Sequence, residues 1–257
     1  MPGLSSSSTT KETLDSLFNG KIRMVQERDG YRFSLDALLL AGFVWLKRGE
    51  KVIDLGTGVG IIPIILGKRG EGAQEIVGVE IQENLTKLAK RNVLLNGLED
   101  LITICHGDIR GLKDTFLPSS FDVVVTNPPY YLVSSGRINP HSQKAIARHE
   151  VKCTIDDVLW VACYLLKEGG RIFVIFPAHR SITLFNRLRG ALLEPKGLRW
   201  VYPRQGEGAK FILVEAYKGG GEGVEVLPPL FVYSDKGRYT AEMEKLYSEA
   251  TIEREGE

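Results

Sequence analysis

From about residue 50 onward, short apolar runs alternate with amphipathic stretches. Lys51-Val52-Ile53-Asp54 predicts a strand, and the run Ile61 to Leu66 after several glycines predicts the helix that follows it. Glu75 to Glu80 predicts the next strand. Asn84 to Asn96 carries Leu85, Leu88, Ala89 and Leu95 at helical spacing, and Gly97 stands where a C-cap belongs. Leu101 to Cys105 and Phe121 to Thr126 predict two more strands. Asp156 to Leu166 predicts a helix ended by Gly169-Gly170, and Arg171 to Phe176 a fifth strand. Strands that alternate with helices at this spacing build a mostly parallel sheet covered on both faces. Leu198 to Tyr202 and Phe211 to Tyr217 are joined only by Pro203 to Lys210, which predicts an antiparallel hairpin.

The polar run Ser5 to Thr10 has nothing to bury, so residues 1–12 are expected to form a disordered tail. Residues 13–250 are expected to form one domain, and the charged stretch 251–257 to fray. A chain of 257 residues, 43% hydrophobic and 25% charged, has ordinary globular composition and excludes fibrous and wholly disordered classes. The longest apolar run, Ala37 to Leu46, spans ten residues, short of the ~20 that cross a bilayer. Met1 to Ser5 shows no charged region leading into an apolar one, so no signal peptide is expected. Cys105, Cys153 and Cys163 are far apart and form no Cys-x-x-Cys, which indicates neither zinc nor a disulfide framework. A reducing cytoplasm is the expected location.

The net charge is only +1, yet it is unevenly spread. Arg137 to Lys210 holds 13 Lys/Arg against 6 Asp/Glu, and Val214 to Glu257 holds 5 against 10. One reading is solvated faces. The other is a basic rim that meets nucleic-acid phosphates.

Three motifs carry chemistry. Asp54-Leu55-Gly56-Thr57-Gly58-Val59-Gly60 follows a predicted strand and precedes a predicted helix. Glycine lets the backbone turn tightly and lets a ligand lie against it. Glu80 ends the next strand, where a carboxylate can accept hydrogen bonds from both ribose hydroxyls of a nucleoside. The dinucleotide fingerprint G-x-G-x-x-G would need glycine at position 61, which is Ile61. Asp108 follows the third of these strands, where by itself it reads as a turn or cap residue.

Asn127-Pro128-Pro129-Tyr130 follows the fourth. Two prolines remove two donors and leave rigid carbonyl acceptors. The Asn127 side-chain oxygen and the Pro128 carbonyl suit the two N–H groups of a planar amine. Tyr130 offers a face on which the base carrying that amine can stack.

The glycine loop with its leading acid resembles motif I of class I S-adenosylmethionine-dependent methyltransferases with a Rossmann-like fold. The Asn-Pro-Pro-Tyr sequence resembles that of amino-methyltransferases acting on N6 of adenine, N2 of guanine or the amide of glutamine. Gly30 to Ala41, Arg148-His149-Glu150 and Pro203 to Lys210 add to these. Together they resemble the bacterial tRNA(Val) adenine-N6 methyltransferase family over roughly residues 14 to 240.

That resemblance implies a seven-stranded sheet whose last strand is antiparallel, and S-adenosyl-L-methionine as cofactor. It implies methylation of the adenosine just 3′ of the anticodon of a tRNA. The cofactor is expected on Asp36, Asp54, Gly56, Gly58, Gly60, Glu80, Asp108 and Asn127, with Asp36 alternatively capping the helix after it. Asn127, Pro128 and Tyr130 are the expected catalytic residues. Arg137, Arg148, His149 and Arg204 are expected on RNA, with local pairing to Glu150 as the alternative for Arg148 and His149. No metal and no membrane partner are expected. A protein-glutamine or an RNA guanine-N2 methyltransferase remains the alternative.

Overall fold

A computed structural model describes residues 12–30, 32–128 and 153–249. The parallel strands come in the predicted order. They are β3 (Lys51–Leu55), β4 (Glu75–Glu80), β5 (Ile102–His106), β6 (Phe121–Thr126) and β7 (Leu166–Pro177). The late hairpin is β8 (Leu193–Tyr202) with β9 (Phe211–Lys218). In space the order is β8-β9-β7-β6-β3-β4-β5, with β9 antiparallel to both neighbours. Two strands of two residues, β10 (Glu225–Val226) and β11 (Leu230–Phe231), extend the sheet beyond the seven expected, parallel to β8. This is the mostly parallel α/β sheet that the alternation predicts, in the Rossmann-like arrangement that the resemblance implies.

Successive side chains of a strand point to opposite faces, and both faces are covered. Val52, Val123, Val125, Phe173 and Ile175 pack on one side. That side is covered by α1 (Leu35–Phe43), α2 (Ile61–Arg69) and α3 (Glu83–Leu95). Ile53, Leu55, Val124, Ile172 and Val174 pack on the other. There they meet α4 (Ile155–Leu165) and α5 (Ser181–Gly190). A last helix, α6 (Ala241–Glu249), buries Met243 and Leu246 on the first side. Among the described residues, no helix is long and apolar enough to cross a membrane.

Besides the added short strands, two departures from the sequence pattern reshape the fold. Gly169-Gly170 do not end α4, which stops at Leu165; both lie inside β7. They occupy a register shift against β6, where Phe121 pairs Leu166 but Val123 pairs Arg171. A Cβ on Gly170 would stand 2.9 Å from the Lys167 carbonyl, so this bulge requires glycine.

The second departure is an N-terminal hairpin, β1 (Glu12–Leu17) with β2 (Ile22–Glu27), that no apolar pattern announced. Its first residue, Glu12, falls in the stretch expected as tail, and it pairs with Arg91 of α3 at 2.8 Å. The rest of that tail, and residues 251–257, lie outside the described residues.

Candidate active site

The functional motifs all stand at the carboxyl ends of β6, β3, β4 and β5, which are neighbours in that order. Register aligns them: Leu55 is level with Val79 and with Thr126, and Glu80 with His106. Asn127, Gly56, Glu80 and the Gly107-Asp108 turn therefore form a row across four strands, about 4.8 Å per step. Open parallel sheets bind ligands along this edge.

The glycine loop is set by its backbone. Gly56 and Thr57 donate to the Val79 carbonyl at 3.0 and 2.9 Å, and Gly60 donates to the Thr57 carbonyl at 2.9 Å. Gly56, Gly58 and Gly60 all have positive φ, at 84°, 58° and 84°, where other residues are strained. A Cβ on Gly60 would press to 3.3 Å on Ala89, whereas one on Gly56 would meet nothing within 4 Å. Gly60 thus serves packing against α3, and Gly56 faces open space.

Glu80 is only 6% exposed. One carboxylate oxygen accepts from Gly58 N at 2.9 Å and the other from Gln82 N at 2.8 Å. Burial raises its pKa, and the backbone N–H groups of Gln82, Gly58 and Ile81 oppose that rise.

Asp54 is 1% exposed, and neither of its oxygens has a hydrogen-bond partner among the described residues. Burial pushes its pKa from 3.8 up to about 7, and the charge of Glu80 adds to the rise. The Thr57 hydroxyl, seated where β4 carries Gly78 instead of a side chain, also has no hydrogen-bond partner among the described residues. At the end of β6, Thr126 Oγ1 donates to the Leu55 carbonyl at 3.0 Å and ties β6 to β3. The next residue, Asn127, presents a buried side-chain oxygen with no partner among the described residues, followed by buried Pro128.

The remaining candidates divide. Asp36 is buried in the first turn of α1, where it accepts from Ala37 N at 3.0 Å and from the Ser34 hydroxyl. Asp108 stands in the row but caps the 3₁₀ turn Ile109–Asp114, accepting from Arg110 N at 2.9 Å. It also pairs with the Arg110 guanidinium at 2.5 Å. Arg204 lies on the β8–β9 connection, paired with Glu207 at 3.1 Å. Tyr130, Arg137, Arg148 and His149 lie outside the described residues. No group of three or more His, Cys, Asp or Glu side chains among the described residues is placed to hold a metal ion.

Sequence reasoning passed over Asn92. This fully buried side chain of α3 donates to the Val59 carbonyl of the glycine loop at 3.0 Å. It also pairs with both backbone groups of Val25 in β2, at 2.7 and 3.0 Å. A buried asparagine amid apolar helix positions was the available signal.

A family model, the methyltransferase small domain, matches residues 35–189. The chain belongs to this family. A curated relative from Bacteroides thetaiotaomicron, named tRNA1(Val) (adenine(37)-N6)-methyltransferase, is 31% identical over 142 residues. The match covers 55% of this chain and 58% of that one. A relative of the same name from Actinobacillus succinogenes is 29% identical over 223 residues, covering 87% and 91%. Among solved structures, a predicted O-methyltransferase from Agrobacterium tumefaciens superposes with a TM-score of 0.69 at 22% identity, covering 86% of this chain and all of that one. The tRNA m1G37 methyltransferase of M. jannaschii gives 0.58 at 18% identity, covering 82% and 55%. At these identities the superpositions speak for the fold.

The cofactor of this methyltransferase is S-adenosyl-L-methionine. The residues fit it: both Asp54 oxygens and the Asn127 oxygen are buried acceptors awaiting donors, and the edge at Gly56 is open.

Proposed function

We propose that this methyltransferase methylates the exocyclic N6 of adenine in tRNA, at the adenosine just 3′ of the anticodon. The observation that carries the reading is the buried Asn127 oxygen at the end of β6, which has no partner among the described residues. A buried acceptor without a donor costs ~1–3 kcal/mol, and that cost is relieved when an amine enters. The names of the two relatives support adenine in tRNA over guanine or glutamine.

In this reading Glu80 holds the ribose hydroxyls of the cofactor. Its two oxygens are already oriented by Gly58 and Gln82, so little ordering remains to be done on binding. Asp54 and the open edge at Gly56 face the methionine portion, with Asp36 beside it. Asp108 reaches the cofactor adenine by sharing its carboxylate with Arg110. When bound, the cofactor supplies an electrophilic methyl group on a sulfonium centre.

Asn127 and the Pro128 carbonyl accept the two N–H groups of the target amine. As that nitrogen turns tetrahedral, its lone pair is released toward the methyl group while the two hydrogen bonds strengthen. Acceptors fixed in place before reaction stabilise the transition state more than the ground state. No strong base is required. The methyl–sulfur bond would break as the new bond forms, the sulfur leaving with the bonding pair as a neutral thioether. The nitrogen, which keeps its protons until then, would give one to water. Tyr130 supplies the ring on which the base stacks. A cytoplasmic location belongs to the same reading, as the place where a tRNA substrate is met.

Single-turnover methyl transfer to unmodified tRNA tests the assignment. Asn127→Ala is expected to lower the rate by roughly 10²–10³ with little change in cofactor affinity. Tyr130→Phe is expected to keep most activity, and Tyr130→Ala to raise KM as well as lower kcat. Near-normal transfer by a folded Asn127→Ala protein would contradict the mechanism.

A further inference from the structure

Beyond the catalytic row, the same edge of the sheet carries a column of stacked side chains. The Arg204 guanidinium lies 5.4 Å from the centroid of the Tyr233 ring. Tyr233 stacks on Tyr239 at 5.2 Å and 13°, and Tyr239 on Tyr247 at 4.9 Å and 31°. The backbone fixes this column. Tyr233 N donates to the Pro203 carbonyl at 2.8 Å, Tyr233 bridges Tyr239 across a tight turn, and the Tyr239 and Tyr247 hydroxyls meet at 3.2 Å. Its inner end is held by α6, which Arg199 latches through Glu242 at 2.6 Å. Its outer end, Arg204, is 45% exposed.

Register places this outer end on the catalytic rim. Val201 of β8 is level with Phe211 of β9, which is level with Pro177 of β7. Pro177 stands three residues past Val174, the partner of Thr126. The hairpin tip therefore projects past the ends of β6 and β7 on the side where Asn127 stands. Laterally, β6 to β8 is three strand steps, about 14 Å.

We propose that the outer face of the Arg204 guanidinium is a stacking platform for an unpaired base of the RNA, near the target nucleotide. This rests on the RNA reading above. Glu207 at 3.1 Å compensates the charge of Arg204, which weakens it as a phosphate ligand and leaves its plane available. A guanidinium backed by an aromatic ring presents a flat, rigid, weakly hydrated surface that accepts any base. The contacts of Tyr247 explain how α6 is held. They give no role to an exposed arginine at the far end of the column.

The test measures binding of unmodified tRNA to the full chain, with cofactor affinity and circular dichroism as controls. Arg204→Ala is expected to weaken tRNA binding about tenfold, the low end of a lost stacking contact. Arg204→Lys is expected to be as weak, because it keeps the charge and lacks the plane, while the salt dependence of binding stays as in the wild type. Tyr239→Phe is expected to bind normally. Wild-type affinity in Arg204→Lys would make the contact a phosphate contact and overturn the platform. So would wild-type affinity in Arg204→Ala, leaving the RNA reading intact. A wild-type protein that binds no tRNA would overturn both.

Discussion

At the scale of single residues, Asp54 concentrates the energetic cost of the site. A carboxyl whose folded pKa, about 7, stands above its ordinary 3.8 takes up a proton on folding. Its contribution to stability is therefore greatest below the ordinary value and is lost as pH rises to about 7. Glu80, also raised, acts in the same direction. Urea unfolding of the cofactor-free protein is expected to show lower stability at pH 8 than at pH 5. Asp54→Asn should reduce that difference and bind the cofactor more weakly. Equal pH dependence in both proteins would show that Asp54 is not the group responsible.

Asp54, Glu80 and Asn127 could be singled out as candidates because each stands at or just past the carboxyl end of a predicted strand. Their state was not legible: the absence of partners for Asp54 among the described residues and the capture of Asp108 by Arg110 arise from packing that no local pattern encodes.

At the scale of elements, the strands β3 to β9 were readable from their apolar runs, but only in part where, as in β7 and β8, polar and glycine residues fill the first half of the strand. The N-terminal hairpin was not readable. It is held to α3 by polar side chains from far along the chain. Asn96 pairs with both backbone groups of Arg23, at 3.0 and 2.7 Å, as Asn92 does with Val25. These two asparagines do for β2 what a neighbouring strand would do, and Asn92 extends the tie to the cofactor loop.

Asn92→Ala would leave the Val25 N–H and the Val25 and Val59 carbonyls without these partners. A loss of at least about 3 kcal/mol in unfolding free energy is expected, at ~1–3 kcal/mol for each of these three groups. Hydrogen exchange at Val25 should rise with it, and cofactor affinity should fall. Unchanged stability together with unchanged exchange would show that the hairpin is held otherwise.

At the scale of the whole molecule, charge counted along the chain misleads where the fold internalises it. Within the basic stretch Arg137 to Lys210, Arg171 is buried against Glu50 at 2.7 Å and Arg199 against Glu242 at 2.6 Å. Lys167 pairs with Asp122 at 2.6 Å. These acidic partners all come from outside the stretch, so the excess there is smaller at the surface than in the count. The small net charge is then compatible with an RNA partner met at a few exposed places on one rim, Arg204 among them.

The claim that joins these scales is that the row from Asn127 to Asp108 delivers a methyl group to an adenine amine in RNA. The most direct measurement is to incubate the full chain with labelled S-adenosyl-L-methionine, unmodified tRNA, ribosomal RNA and release-factor protein. The product is then digested and the labelled nucleoside or residue identified by mass spectrometry. N6-methyladenosine in tRNA, at the position 3′ of the anticodon, is the predicted result. Label on N2 of guanine or on a glutamine amide, with none on adenine, would contradict it.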